Sequence, residues 1–181
     1  MNTTALELEN IYDLAYKALS AHGCDHFNAD SVATTVSHAE RDGSVSHGLF
    51  RIPGYVASLK SKKANGVSRP SNTYLTQNAI RVEGDYGFAP VGIKVGLPEL
   101  IKTTNKHGVG VLTITNTHHF AALWHETEAL AENNLVGIAC TAYKPSVAPA
   151  GAKKPLFGTN PISFAWPRKN KTPVVYDMAT S

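Results

Sequence analysis

A change of hydrophobic period near the middle of the chain constrains its fold more than any other feature. Up to about residue 59 the apolar residues recur at helical spacing; from about residue 80 strand-like runs alternate with helical ones. Residues 7–22 predict a helix with Leu8, Ile11, Ala15, Ala18 and Leu19 on one face and Gly23 as its stop. Residues 29–41 predict a second, lined by Val32, Val36 and Ala39 and capped by Asn28 or Asp30. Ser44-Val45-Ser46-His47-Gly48 reads as a turn. A third helix starts near Pro53, carries Tyr55, Val56 and Leu59, and closes at Asn65-Gly66. Arg69-Pro70-Ser71-Asn72 reads as a linker. Strands are expected at 80–83, 109–114, 135–140, 161–166 and 172–177, with helices over 90–106 and 119–132 and an ordered loop over 149–161. The reading is α+β: a helical domain over residues 1–75, then a sheet-containing domain over 76–181.

Composition narrows the function classes. The 181 residues are 43% hydrophobic and 17% charged, as in soluble globular chains. The longest basic run is Lys60-Ser61-Lys62-Lys63, which suits a solvated helix end better than a nucleic-acid grip. No apolar stretch reaches membrane-span length, and the first residues lack the pattern of a signal peptide. Cys24 and Cys140 show no metal-ligand spacing and read as reduced thiols, so a cytoplasmic location is expected.

Three stretches could carry chemistry. In Ser46-His47-Gly48-Leu49-Phe50-Arg51 an imidazole can exchange a proton near neutral pH, and a guanidinium fork can hold a carboxylate. On a helix His47 and Arg51 would share a face, with Ser46 able to orient the ring; a polar turn with surface side chains fits the spacing too. Thr115-Asn116-Thr117-His118-His119-Phe120-Ala121-Ala122 joins a strand to a helix, where free amides attract phosphate. His118, His119 and His125 cluster there, but no HExxH pattern or carboxylate set supports a metal; a capping segment fits equally. Gly151-Ala152-Lys153-Lys154-Pro155-Leu156-Phe157-Gly158-Thr159-Asn160-Pro161 is a stiff loop, either a ligand contact or a structural turn. There is no G-x-G-x-x-G opening a helix, so Rossmann logic fails.

Four segments in order resemble the malate/L-lactate dehydrogenase family: Ser46–Tyr55, His118–Trp124, Lys154–Pro161 and Asp177–Ser181. The stretch His-His-Phe-Ala-Ala-Leu-Trp is the most telling, and the wording is closest to the family's Δ1-piperideine-2-carboxylate/Δ1-pyrroline-2-carboxylate reductases. The resemblance implies a non-Rossmann NAD(P)H-binding mixed or antiparallel sheet beside a helical domain, usually in a homodimer. It implies His47 as proton donor, Ser46 as its relay partner, and Arg51 and Thr159 as substrate contacts. It implies that NADPH or NADH meets His119, Phe120, Ala121, Ala122, Leu123, Asp177, Met178 and Ala179. Relatives that reduce 2-oxo acids would use the same His47 and Arg51. Family members run to roughly twice this length. A truncated chain is therefore expected, inactive alone and either dimeric or paired with a chain carrying the missing half. Longer relatives would partly cover the first helix's apolar face with C-terminal helices.

Overall fold

The computed structural model describes residues 4–119 and 121–180. They form two compact units, Met1–Ala121 and Ala122–Ser181. The expected boundary at residue 75 falls inside the first unit, because the helices and the first sheet share that unit's contacts.

The first unit opens with α1 (Leu8–Ser20) and α2 (His26–Arg41), then two 3₁₀ turns at Val45–His47 and Leu49–Arg51, and α3 (Ile52–Lys60). Asp25, rather than Asn28 or Asp30, caps α2: its carboxylate accepts the Asn28 N–H at 3.0 Å. Asp30 lies a turn further on, where it accepts from the Tyr12 hydroxyl at 2.7 Å and pairs with Lys94 at 2.6 Å. On α1, Ile11, Ala15 and Leu19 are buried, while Leu8 is 43% exposed. Ala15 and Leu19 belong to a core completed by Val32, Val36, Tyr55, Leu59, Phe88 and Val91. Ile11, Ala15 and Leu19 are thus covered from within the chain, where α2 and α3 pack against α1, while Leu8 stays open.

The first sheet contains β1 (Ser71–Tyr74), β2 (Ala79–Glu83) and β3 (Val111–Thr115), with α4 (Ala89–His107) between the last two. β1 runs antiparallel to β2, β2 runs parallel to β3, and α4 is the crossover. The β1 strand was read as linker. Its Ser-Asn-Thr-Tyr has no apolar alternation, and its strand character comes from pairing with β2 at the sheet edge. Pro90 sits in the first turn of α4, where its missing N–H costs nothing, and Gly108 ends the helix at φ 82°.

The second unit is α5 (Trp124–Glu132) against an antiparallel meander of β4 (Gly137–Cys140), β5 (Ile162–Arg168) and β6 (Lys171–Met178). The helix expected from residue 119 begins at Trp124. His119 and Ala121 have φ of 51° and 43°, which no right-handed helix accommodates. Under α5 the hydroxyls of Thr127 and Ser163 meet at 2.7 Å, and Ser163 donates to the Tyr176 carbonyl at 3.0 Å. The other face of the sheet is apolar and open, with Ile138, Trp166, Tyr176 and Met178 each about half exposed or more. The loop leading to β5 is ordered by a bridge between Val147 and Phe157. The architecture is α+β as expected, and among the described residues the strands fall into two small sheets rather than one.

Asn28, instead of capping α2, is fully buried. It donates to Asp25 at 2.8 Å and to the Ser68 carbonyl at 3.2 Å, and it accepts from the Ser68 hydroxyl at 2.6 Å. Asn28→Ala strands the buried Ser68 hydroxyl, while the Ser68 carbonyl keeps the Arg69 Nη1 donor at 2.9 Å. It should cost about 1–3 kcal/mol, read as a lower urea midpoint at unchanged m-value.

Candidate active site

In the first unit the candidate catalytic turn is held from below by α2. Glu40 on α2 accepts the Leu49 N–H at 2.7 Å. A β-carbon on Gly48 would fall on the end of the Glu40 side chain, so a larger residue there would displace that carboxylate from the turn. Gly48 is also extended in ψ, at −142°, and it splits the stretch into two 3₁₀ turns. His47 and Arg51 therefore do not share a continuous helix face, contrary to the helical reading. A different contact brings Arg51 back: its Nε donates to the Ser46 carbonyl at 2.6 Å.

His47 is half-buried and turns Nδ1 to two hydroxyls, Ser46 Oγ at 3.0 Å and Ser44 Oγ at 3.3 Å. Each hydroxyl can accept from Nδ1–H or donate to a bare Nδ1, so the pair orients the ring in either tautomer. Ser44 was not anticipated, because a serine three residues before a histidine carries no signal until the turn folds.

The strand-to-helix segment is fixed by backbone pairing. His118 donates its N–H to the Gly87 carbonyl at 2.8 Å and accepts from Ala89 N–H at 3.2 Å, forming a bridge with Phe88. The Phe88 ring packs on Tyr55 at 4.9 Å and on His118 at 5.7 Å. Tyr55 in turn lies 5.5 Å from the His119 ring, with its hydroxyl 3.0 Å from Nδ1. Burial depresses the His119 pKa to about 4, and the nearby Arg51, His47 and His118 push the same way. Burial and Lys63 also lower His118. His119, Arg51 and His47 thus form one polar cluster within the first unit. Phe120, expected at the cofactor, lies outside the described residues. No group of three or more His, Cys, Asp or Glu that could hold a metal occurs among the described residues.

In the second unit the Asp177 carboxylate accepts from the Leu123 N–H at 2.7 Å and the Trp124 N–H at 2.9 Å. The amides expected to attract phosphate at the start of α5 are therefore already bound to an anion of the chain itself. Ala122 and Leu123 are buried, whereas Met178 is 54% exposed and Ala179 lies on the surface. Thr159 accepts from the Thr180 N–H at 3.0 Å, and Asn160 accepts from Tyr143 N–H at 3.0 Å through its side chain and from Thr180 Oγ1 at 2.8 Å through its carbonyl. The stiff loop is thus closed on the end of β6.

Glu126 lies in the first turn of α5. Its Oε2 is sealed from solvent with no hydrogen-bond partner. Burial pushes its pKa up to about 8, with Asp177 adding repulsion and its own backbone amide compensating only in part. An acid whose folded pKa exceeds its unfolded value of about 4.3 holds its proton longer in the native state. Stability should then fall as pH rises from about 4.3 to about 8, by at most about 1.4 kcal/mol per unit, and level off above. Glu126→Gln should remove that slope and stabilise the chain at pH 8, as thermal melts across the range will read out.

Comparison with known proteins follows the same lines. The profile of the malate/L-lactate dehydrogenase family matches residues 6–181. The chain is 38% identical over 181 residues to a Δ1-pyrroline-2-carboxylate reductase from Burkholderia multivorans, covering 100% of this chain and 53% of that protein. It superposes with TM-score 0.93 on Δ1-piperideine-2-carboxylate reductase from Pseudomonas syringae, 40% identical, over 99% of this chain and 54% of the other. Sulfolactate dehydrogenase from Methanocaldococcus jannaschii matches with TM-score 0.90 at 30% identity, over 98% and 51% of the two chains. The chain spans about half the length of the curated relatives it matches.

Proposed function

Because the chain belongs to the malate/L-lactate dehydrogenase family, we propose that it serves NAD(P)H-dependent reduction of a cyclic imino acid, Δ1-piperideine-2-carboxylate or Δ1-pyrroline-2-carboxylate, to L-pipecolate or L-proline. The observation that carries this reading is the cluster of His47, its two serine hydroxyls and the Arg51 guanidinium on one turn, in a chain whose relatives are named for that reaction.

The residues divide the work by their chemistry. Arg51 binds the substrate carboxylate, since its planar fork can form two parallel hydrogen bonds. His47 gives a proton from Nε2 to the imine nitrogen while Ser46 and Ser44 hold Nδ1–H, which keeps the ring in one orientation. Thr159 adds a substrate contact. Reduced NADPH or NADH, when bound, supplies the hydride. In the second unit Asp177 already occupies the amides that open α5. This suits the uncharged nicotinamide and ribose groups better than the phosphates. Asp177 retains acceptor capacity for hydroxyl or amide donors, with Met178 and Ala179 beside it; His119, Ala121 and the segment through Leu123 complete the proposed contacts. The cytoplasm is the proposed location, and a homodimer or a pairing with a complementary chain is the proposed assembly.

A second reading is a 2-oxo-acid dehydrogenase, favoured by the likeness to sulfolactate dehydrogenase. Oxygen replaces nitrogen as the proton acceptor, and His47 and Arg51 keep their roles. A panel of imino and 2-oxo acids separates the two by relative kcat/KM.

In an active protein carrying this chain, His47→Ala should lower kcat by roughly 10²–10⁴-fold with the cofactor Kd little changed. A variant with near-parental kcat would overturn the assignment. Arg51→Lys should raise KM for the carboxylate substrate by roughly tenfold or more while the cofactor Kd holds, since lysine keeps the charge but loses the fork. Steady-state kinetics paired with cofactor fluorescence titration reads both.

A further inference from the structure

The two histidines of the cluster have opposite surroundings at Nδ1, and the difference assigns a role to Tyr55. At His47 the neighbours are hydroxyls, which can either give or take a proton. At His119 the Nδ1 receives the backbone N–H of Ala121 at 3.1 Å, a group that can only donate. The Tyr55 hydroxyl lies 3.0 Å from the same nitrogen. Tyr55 is 5% exposed, and burial raises its pKa to about 12 against a smaller opposing pull from Arg51, so the phenol keeps its proton. Because the Ala121 amide already donates to Nδ1, the phenol is a second donor there.

We propose that Tyr55 is a positioning residue that, with the Ala121 amide, fixes His119 as the neutral tautomer protonated at Nε2, so that its N–H serves as a hydrogen-bond donor in the cluster that binds the substrate carboxylate. The proposal rests on the reading of Arg51 and His47 as the carboxylate and proton-transfer groups. Two donors converging on Nδ1 exclude a proton there. A neutral ring must then carry its hydrogen on Nε2. A charged ring would need Nδ1–H aimed at an amide hydrogen.

The electrical setting agrees. The groups acting on His119 are Arg51 and His47 from the 3₁₀ turns, His118 beside it, and Tyr55 from α3; no carboxylate stands among its perturbing groups. A cationic His119 would add a further positive charge next to Arg51. A neutral ring with a fixed N–H instead contributes direction without competing for the proton that His47 transfers.

The backbone is strained to achieve this. His119 and Ala121 both adopt positive φ, of 51° and 43°, a conformation costly for residues with side chains. The turn carries the Ala121 N–H onto His119 Nδ1. The Phe88–His118 bridge anchors the segment's start, and the Phe88 ring backs Tyr55.

The test is a long-range proton–nitrogen correlation spectrum of the 181-residue chain labelled with ¹⁵N-histidine, recorded from pH 4.5 to 8. His119→Gln assigns the resonances. The parent should show His119 with an unprotonated Nδ1 and a protonated Nε2, with no titration above pH 5. Tyr55→Phe removes one donor while keeping the ring. It should lower the preference for the Nε2–H tautomer by roughly 2–10-fold, the worth of one hydrogen bond, and draw the titration upward. Tyr55→Met serves if the phenylalanine variant loses the native melting transition. A His119 that titrates near the ordinary histidine value in the parent, or a tautomer pattern unchanged in both variants, would overturn the proposal. Neither result depends on turnover, so a failed activity assay for His47 leaves this outcome separately readable.

Discussion

The first unit depends on the burial of one ring. Phe88 is 1% exposed, stands at the start of α4, and touches Tyr55 from α3 and His118 from the segment after β3. Its backbone makes the bridge that pins His118. A buried phenylalanine of this kind contributes on the order of 2–3 kcal/mol through apolar burial alone. Its positional effect is larger than that figure suggests. It makes the helical layer and the first sheet one packed body, so that residues 47, 51, 55 and 119, far apart in sequence, share one environment.

Around that anchor the polar groups are arranged by satisfying backbone and side-chain hydrogen bonds from within. Glu40 holds the turn that carries His47 onto α2, and Gly48 permits the approach. In the second unit Asp177 does the analogous service for α5, with a charge placed where the helix dipole favours it. Glu126 is the exception: its buried oxygen has no partner and its proton is retained. Unsatisfied buried carboxyls are rare in native folds and tend to mark places where function outweighs stability. The open apolar face of the β4–β5–β6 sheet is a second such feature, since contiguous exposed patches of that kind are usually covered in an assembled protein.

The residues themselves carried much of this. Helical spacing placed α1 to α4 within a few residues of their observed bounds, because each presents an apolar stripe to a common core. β-branched runs placed β2 to β6 for the same reason. The alternatives left open by spacing, a surface turn or a proton-transfer turn at His47, were narrowed by the family likeness rather than by pattern. Where local pattern failed, a distant partner had decided the outcome. β1 is a strand because β2 pairs with it. α5 starts late because of the positive φ at residues 119 and 121 and the capping of its amides by a carboxylate more than fifty residues away. Asn28 looked like a cap from its position, yet it is a buried clamp on Ser68, forty residues on.

By itself the sequence determined the class of fold and the order of its elements and offered the candidate side chains, because hydrophobic period and residue chemistry are local properties of a chain. Only the tertiary structure decided their electrical states. His119 is kept neutral because it is buried, beside Arg51, His47 and His118. His47 faces two hydroxyls because a glycine lets its turn settle on Glu40. Protonation and tautomer follow from burial and from which donors arrive at a given atom, and those are fixed only once segments remote in sequence are packed against one another.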